Sequence, residues 1–180
     1  MKRTILIMAL SVIAIIVLTF ALGGYPPISA TVVDAKTGDP IEGAVVLVEW
    51  TNTHGFGHTH TESYKVVEII SNKEGRVNIE GVYRPFLNKP HVTVYKKGYV
   101  AWNDEYIFPG NKRRQGFKWE NNLVIKMEQF SKKDFSHNHH VSFLRTATRI
   151  TLDNDIKNSF EKLFEWEVDL AREEVFNQIN

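Results

Sequence analysis

Residues 53–62, "THGFGHTHTE", carry His54, His58 and His60, and the later "HNHH" carries His137, His139 and His140. Imidazole nitrogens at such spacing suit zinc, copper or nickel. On a strand, His58 and His60 project from one face about 7 Å apart, because side chains alternate with period two. Convergence of His58 and His60 with His137, His139 and His140 would make a site of three or four imidazoles and supply the chain's candidate metal cofactor. Against this, both clusters lie in polar stretches that read as exposed loops. Gly55 and Gly57 loosen the first of them and raise the entropy cost of organising it. The sequence therefore favours loop histidines and no required cofactor.

Hydrolytic chemistry finds no support. A zinc peptidase needs His-x-x-Glu plus a distant histidine, so that three ligands leave a position for water. None of the seven histidines has glutamate three positions later. The chain has no cysteine, no Gly-x-Ser-x-Gly and no phosphate-cradling glycine loop. The expected catalytic residues are none. Ligand recognition through aromatic faces is the other chemistry on offer. Trp50, Trp102 and Trp119, with Tyr95, Tyr99, Tyr106 and Phe108, could form a platform for a sugar or peptide, although sandwich cores use the same residue types.

The elements that position these residues begin at Ile28. Short runs rich in β-branched residues alternate with turn signals: "ISATVVDA", "AVVLVEW", "YKVVEIIS", "RVNIEGV", "HVTVYKKGY", "VAWNDEYIF" and "NLVIKMEQF". Thr37-Gly38-Asp39-Pro40 is turn chemistry, as glycine allows positive φ and proline cannot sit in a central ladder. Seven strands at even spacing, with no helical pattern between them, predict a mainly β, antiparallel sandwich.

Several of these residues carry a resemblance. "TVVDAKTGDPIEGAVVLVEW", "ISNKEGRVNIEGV" and "VTVYKKGYVAW" resemble the carboxypeptidase regulatory-like domain. Thr37, Gly38, Pro40, Gly43, Ala44 and Val46 match its first turn, and Gly98 and Tyr99 match the end of its later strand. Asn72 stands where aspartate is usual and Val77 where phenylalanine is. "RPFLNKPHVTV" replaces the usual Pro-Gly-x-Tyr, and the 51–63 loop is longer than the norm. The resemblance spans residues 28–128. It implies a prealbumin-like Greek-key sandwich with an accessory role in envelope or secreted proteins, Tyr99 inside the sandwich, and no catalytic residues of its own.

Flanking segments complete the organisation. Lys2 and Arg3 precede an uncharged apolar run over residues 5–22, with Ala21 and Gly23 as small residues where a signal peptidase would read. This N-terminal hydrophobic helix, residues 1–23, predicts export. It fits a cleaved signal peptide or an uncleaved transmembrane anchor equally, since eighteen residues lie at the lower limit of a bilayer span. Residues 24–130 form the expected sandwich. Residues 131–180 form a linker and a C-terminal amphipathic helix, for which Phe160, Phe164, Val168, Ala171 and Val175 recur at helical spacing and Asp153 or Asp155 is the expected cap.

Without Lys2 and Arg3 the chain has 20 basic and 21 acidic side chains, so no global field draws nucleic acid. Within it, residues 112–133 are basic and residues 155–174 acidic, and the two are expected to complement one another. The expected partners are the membrane, if the leader stays uncleaved, and an envelope protein or glycan. The expected location is the periplasmic or extracellular face.

Overall fold

The computed structural model describes all residues except 1–4, 6, 7, 9, 10, 15–22, 56, 149–158 and 180, and the side chain of 178. Among the described residues nine strands carry the fold: β1 Ile28–Asp34, β2 Val45–His54, β3 His60–Ile70, β4 Arg76–Ile79, β5 His91–Tyr95, β6 Trp102–Asn103, β7 Tyr106–Ile107, β8 Lys112–Arg113 and β9 Leu123–Met127. Helices α1 (His137–Ala147) and α2 (Ser159–Ile179) follow. One sheet has the order β4-β1-β9, the second β3-β2-β5-β6, and β7 and β8 form a small ribbon.

The two larger sheets face each other. Ile28, Ala30 and Val32 of β1, Val77 and Ile79 of β4, and Ile125 and Met127 of β9 meet Val46, Val48 and Trp50 of β2 and Val92 and Val94 of β5 in one core. Period-two alternation decides which side chains enter it, as β1 buries every second residue. β2 departs from alternation and buries its first eight residues. Its other face, with Val45 and Leu47, lies under the helices in a second cluster with Tyr95, Phe143, Leu144 and Phe160. A strand covered on both sides is a continuous apolar run, which is what "AVVLVEW" is.

The resembling turns take the expected conformations. Gly38 and Gly43 have φ of 78° and 71°. Asp34 Oδ1 accepts from the N–H groups of Lys36 and Thr37. Asn72 makes a side-chain turn, its Oδ1 accepting from the N–H groups of Glu74 and Arg76. Tyr99 packs against the core and donates its hydroxyl to Asp34 Oδ2 at 3.3 Å.

Three expectations change. The sandwich is not wholly antiparallel, because β1 pairs with β9 in parallel, from Ala30↔Leu123 to Asp34↔Met127. These strands lie far apart in sequence, so crossovers rather than a hairpin set their relative direction. "VAWNDEYIF" is two short strands. The Asn103 Oδ1 accepts from the N–H groups of Glu105 and Tyr106, a side-chain turn that ends β6. "HNHH" opens a helix rather than a loop, with Ser136 as the N-cap accepting from the His139 N–H.

The C-terminal helix forms as expected and packs on the second sheet, through Phe160, Leu163, Phe164 and Trp166. Asp153 and Asp155 lie outside the described residues. The cap that the structure shows comes from β3, where the Glu68 carboxylate accepts from the N–H groups of Ser159 and Phe160, each at 3.0 Å. A carboxylate at a helix N-terminus pairs unsatisfied donors and opposes the dipole. Of the leader, residues 5, 8 and 11–14 are described, and all are helical. Among the described residues no helix is long and apolar enough to cross a membrane. The choice between signal peptide and anchor falls largely outside the described residues.

Candidate functional site

Helix α1 turns its two terminal histidines of "HNHH" inward because positions 137, 140, 141 and 144 share one helical face. His137 and His140 are 7% and 0% exposed, whereas His139 faces solvent. Both meet Glu167 of α2, a carboxylate only 1% exposed. His137 Nδ1 lies 2.5 Å from Glu167 Oε1. His140 Nδ1 lies 3.0 Å from the same oxygen, close in distance but off hydrogen-bond alignment. The Tyr95 hydroxyl of β5 donates to Glu167 Oε2.

The backbone selects the His140 tautomer. The Ala101 N–H donates to His140 Nε2 at 2.9 Å, so that nitrogen holds a lone pair and the ring proton sits on Nδ1, towards the carboxylate. Phe130 stacks on His137 with ring centroids 4.4 Å apart, and Phe108 meets His140 edge-on. Burial pushes the Glu167 carboxyl up, but the adjacent His140, Tyr95 and His137 side chains outweigh it and hold the group below its ordinary value. Burial first, and then the adjacent Glu167 charge, push the Tyr95 phenol far above its usual range.

These four side chains have the types of a general acid–base site, but their arrangement is closed. Tyr95 and His140 are fully buried and Glu167 nearly so. The carboxylate itself is 1% exposed, and of the four side chains His137 alone reaches a surface cleft. What the cluster does is join three elements, β5, α1 and α2, through one buried charge. Ser136 Oγ and the Asn138 N–H add contacts to Glu174 of α2.

The other predicted histidines stay apart from this cluster in the bonding they make. His60 opens β3 opposite His54, and His58 lies in the exposed turn between them. His54 Nε2 meets Glu62 Oε1 at 3.0 Å. Gly55 and Gly57 both have positive φ, and a Cβ on Gly55 would come within 2.1 Å of the His58 carbonyl oxygen, so position 55 requires glycine. Among the described residues no group of three or more His, Asp or Glu side chains is arranged to hold a metal ion.

The tryptophans line the core rather than a platform. Trp50 is 0% and Trp102 8% exposed. Trp119 packs edge-on against Trp50 and donates its Nε1–H to the Pro26 carbonyl at 2.8 Å. Among the described residues the large aromatics on the surface are instead Tyr64, Tyr83, Phe86 and Phe176, at 44%, 66%, 72% and 68% exposed. No periodicity marks out Tyr83 and Phe86, because both lie in the irregular segment between β4 and β5. Lys132 of the basic segment and Glu173 and Glu174 of the acidic one line a common cleft with His137.

A second polar cluster sits beside β5. The Asp104 carboxylate is fully buried and accepts from the Val92 N–H and from Lys89 Nζ. The Asp104 carboxylate, 3.8 Å from His91 Nδ1, helped by the charges of Glu105 and Glu49, raises the imidazole above its ordinary value against the effect of burial.

No protein-family model matches the chain, and no curated protein matches it. Among solved structures it is similar to a streptococcal ancillary pilin (19% identity, 61% of this chain and 30% of that one, TM-score 0.34). It is also similar to the shaft pilin SpaA of Lactobacillus rhamnosus GG (13% identity, 61% and 47%, TM-score 0.35). A third is the pilus 2b backbone protein of group B streptococcus (12% identity, 62% and 43%, TM-score 0.34). The chain spans between 30% and 47% of the length of these pilins. Overlaps of this depth carry no functional argument.

Proposed function

We propose that the chain is an exported, non-catalytic binding or accessory module of a bacterial-type cell envelope, delivered by its N-terminal segment as a cleaved signal or a retained anchor. The observation that carries the non-catalytic part is the closure of the His137–Glu167–His140–Tyr95 cluster. The acid–base side chains that the fold gathers are engaged with one another in the interior. Export rests on the order of Lys2 and Arg3, the apolar run and the small residues at 21 and 23. The turns at Thr37–Gly43 and Asn72–Gly75, and Tyr99 in the core, support the carboxypeptidase regulatory-like resemblance, which adds an accessory role.

Fractionation of a bacterial host producing the full chain tests this reading. Protease added to intact spheroplasts should degrade the chain. Mass spectrometry of its N-terminus then separates a cleaved leader from an anchor. A protease-resistant chain in the cytoplasmic fraction would overturn the export reading.

A further inference from the structure

The sandwich begins almost where the apolar run of the leader ends. That run ends at residue 22, and Tyr25 is already tied to Val82 by two backbone hydrogen bonds. The Tyr25 N–H donates to the Val82 carbonyl at 2.8 Å, and the Val82 N–H donates to the Tyr25 carbonyl at 2.9 Å. Gly24 is packed so closely that a Cβ on it would lie 2.3 Å from the Val82 oxygen, 2.6 Å from the Tyr83 Cα and 2.9 Å from the Arg84 backbone nitrogen. The joint is braced from the other side, where Trp119 donates its Nε1–H to the Pro26 carbonyl at 2.8 Å and meets the Tyr25 ring edge-on. Pro26 and Pro27 remove further backbone freedom. The leader thus joins the sandwich without a flexible spacer.

Chain geometry turns this joint into a distance limit. A chain spans at most about 3.6 Å per residue, so Gly24 lies within roughly 7 Å of the end of the apolar run. The headgroup layer of a bilayer is about 5–8 Å deep on each side. If the leader is retained as a span, its eighteen apolar residues measure about 27 Å as a helix against a hydrocarbon core of about 30 Å. That leaves no slack, and Lys2 and Arg3 put residue 24 on the exported side. The Tyr83–Arg84 backbone, packed on Gly24, is then held at the headgroup layer.

The side chains at this point suit that layer. Tyr83 is 66% exposed, and a ring with a polar tip is the kind of side chain that collects at membrane–water interfaces. Arg84 is exposed, with its guanidinium 4.3 Å from the centroid of the Tyr64 ring. Such a contact orients the group without neutralising it. A guanidinium keeps its charge and matches phosphate oxygens with two parallel hydrogen bonds. We infer that Tyr83 and Arg84 dock this end of the sandwich on the bilayer, Arg84 on a phospholipid phosphate and Tyr83 among the headgroups. The domain then stands end-on at the membrane instead of swinging on a tether. This contact rests on the retained-anchor form of the proposed function.

Quenching by lipid tests it on the full chain reconstituted into vesicles of phosphatidylcholine and phosphatidylglycerol. The chain has no cysteine, so Tyr83→Cys and Lys36→Cys each offer one thiol for a fluorescent dye. Lys36 is exposed just past the far end of β1, about 20 Å along the strand from the joint, and serves as the reference. A lipid with a nitroxide on its headgroup should quench the dye at position 83 several-fold more than the dye at position 36. Adding Arg84→Glu should bring that quenching down to the reference level, whereas Arg84→Lys, which keeps the charge, should retain most of it. Equal quenching at the two positions overturns the inference, and so does quenching at position 83 that survives Arg84→Glu. Flotation of the same vesicles, with mass spectrometry of the N-terminus, separates this contact from the anchor. A chain that floats with its leader intact but is not quenched at position 83 overturns the contact alone. A chain that loses its leader, or does not float, overturns the anchor and the contact together.

Discussion

Glu167 is the residue on which the helical layer depends. Its carboxyl is held below the ordinary value, so the folded state binds the proton less readily than the unfolded chain. The stability this contributes is present above the ordinary glutamate value of about 4.3 and is lost as pH falls through the folded value. Glu167→Gln keeps the shape but removes the charge that His137, His140 and Tyr95 face. We expect a loss of about 1–3 kcal/mol at neutral pH, read by urea unfolding. The gap to the wild type should narrow below pH 4, and a pH-independent gap would show that the charge plays no part. Asp34 has the same sign. The backbone N–H of Thr37, with Gln129 and the Lys36 N–H, lowers it to about 2, so its contribution is present above the ordinary aspartate value and is lost as pH falls towards about 2.

The decisive element is α1. Sequence reasoning missed it because histidine counts as polar, so "HNHHVSFLRTA" shows too few apolar positions to register as a helix. With His137 and His140 counted as buried, the face formed with Val141 and Leu144 is regular. Phe143 is 1% exposed between α1 and the outer face of the second sheet. Phe143→Ala should cost about 3–5 kcal/mol, and a Tm within a degree or two of wild type would contradict that packing. Truncation before Ser159 removes Glu167 and Phe160 together and uncovers Val45, Leu47 and Tyr95. The expected result is increased binding of a hydrophobic dye and a lower Tm, not a soluble, unchanged sandwich.

Across the whole molecule, protection from hydrogen exchange should follow the two layers of burial. Amides of Val32, Val46, Val94 and Ile125, whose side chains are wholly enclosed between the sheets, should exchange only on global unfolding. The last turn of α2 should exchange fastest, since Val175, Phe176 and Ile179 are 43%, 68% and 79% exposed. Equal protection along α2 would show that something covers that end in solution.

The pattern of residues by itself determined most of the sandwich: the alternation of "ISATVVD", the Gly38 and Gly43 turns, the Asn72 turn, and the amphipathic α2. These are local properties, set by side-chain period and by the φ that glycine permits, and neighbouring residues suffice to express them. Tertiary structure decided the rest. The parallel direction of β9 beside β1, the cap that Glu68 lends to α2, the burial of Trp50 and Trp102, and the meeting of His137 and His140 with Glu167 all join residues far apart in the chain. Nothing in a local window encodes those distances, because they arise only when the second sheet acquires its helical cover and two layers compete for the same apolar surface.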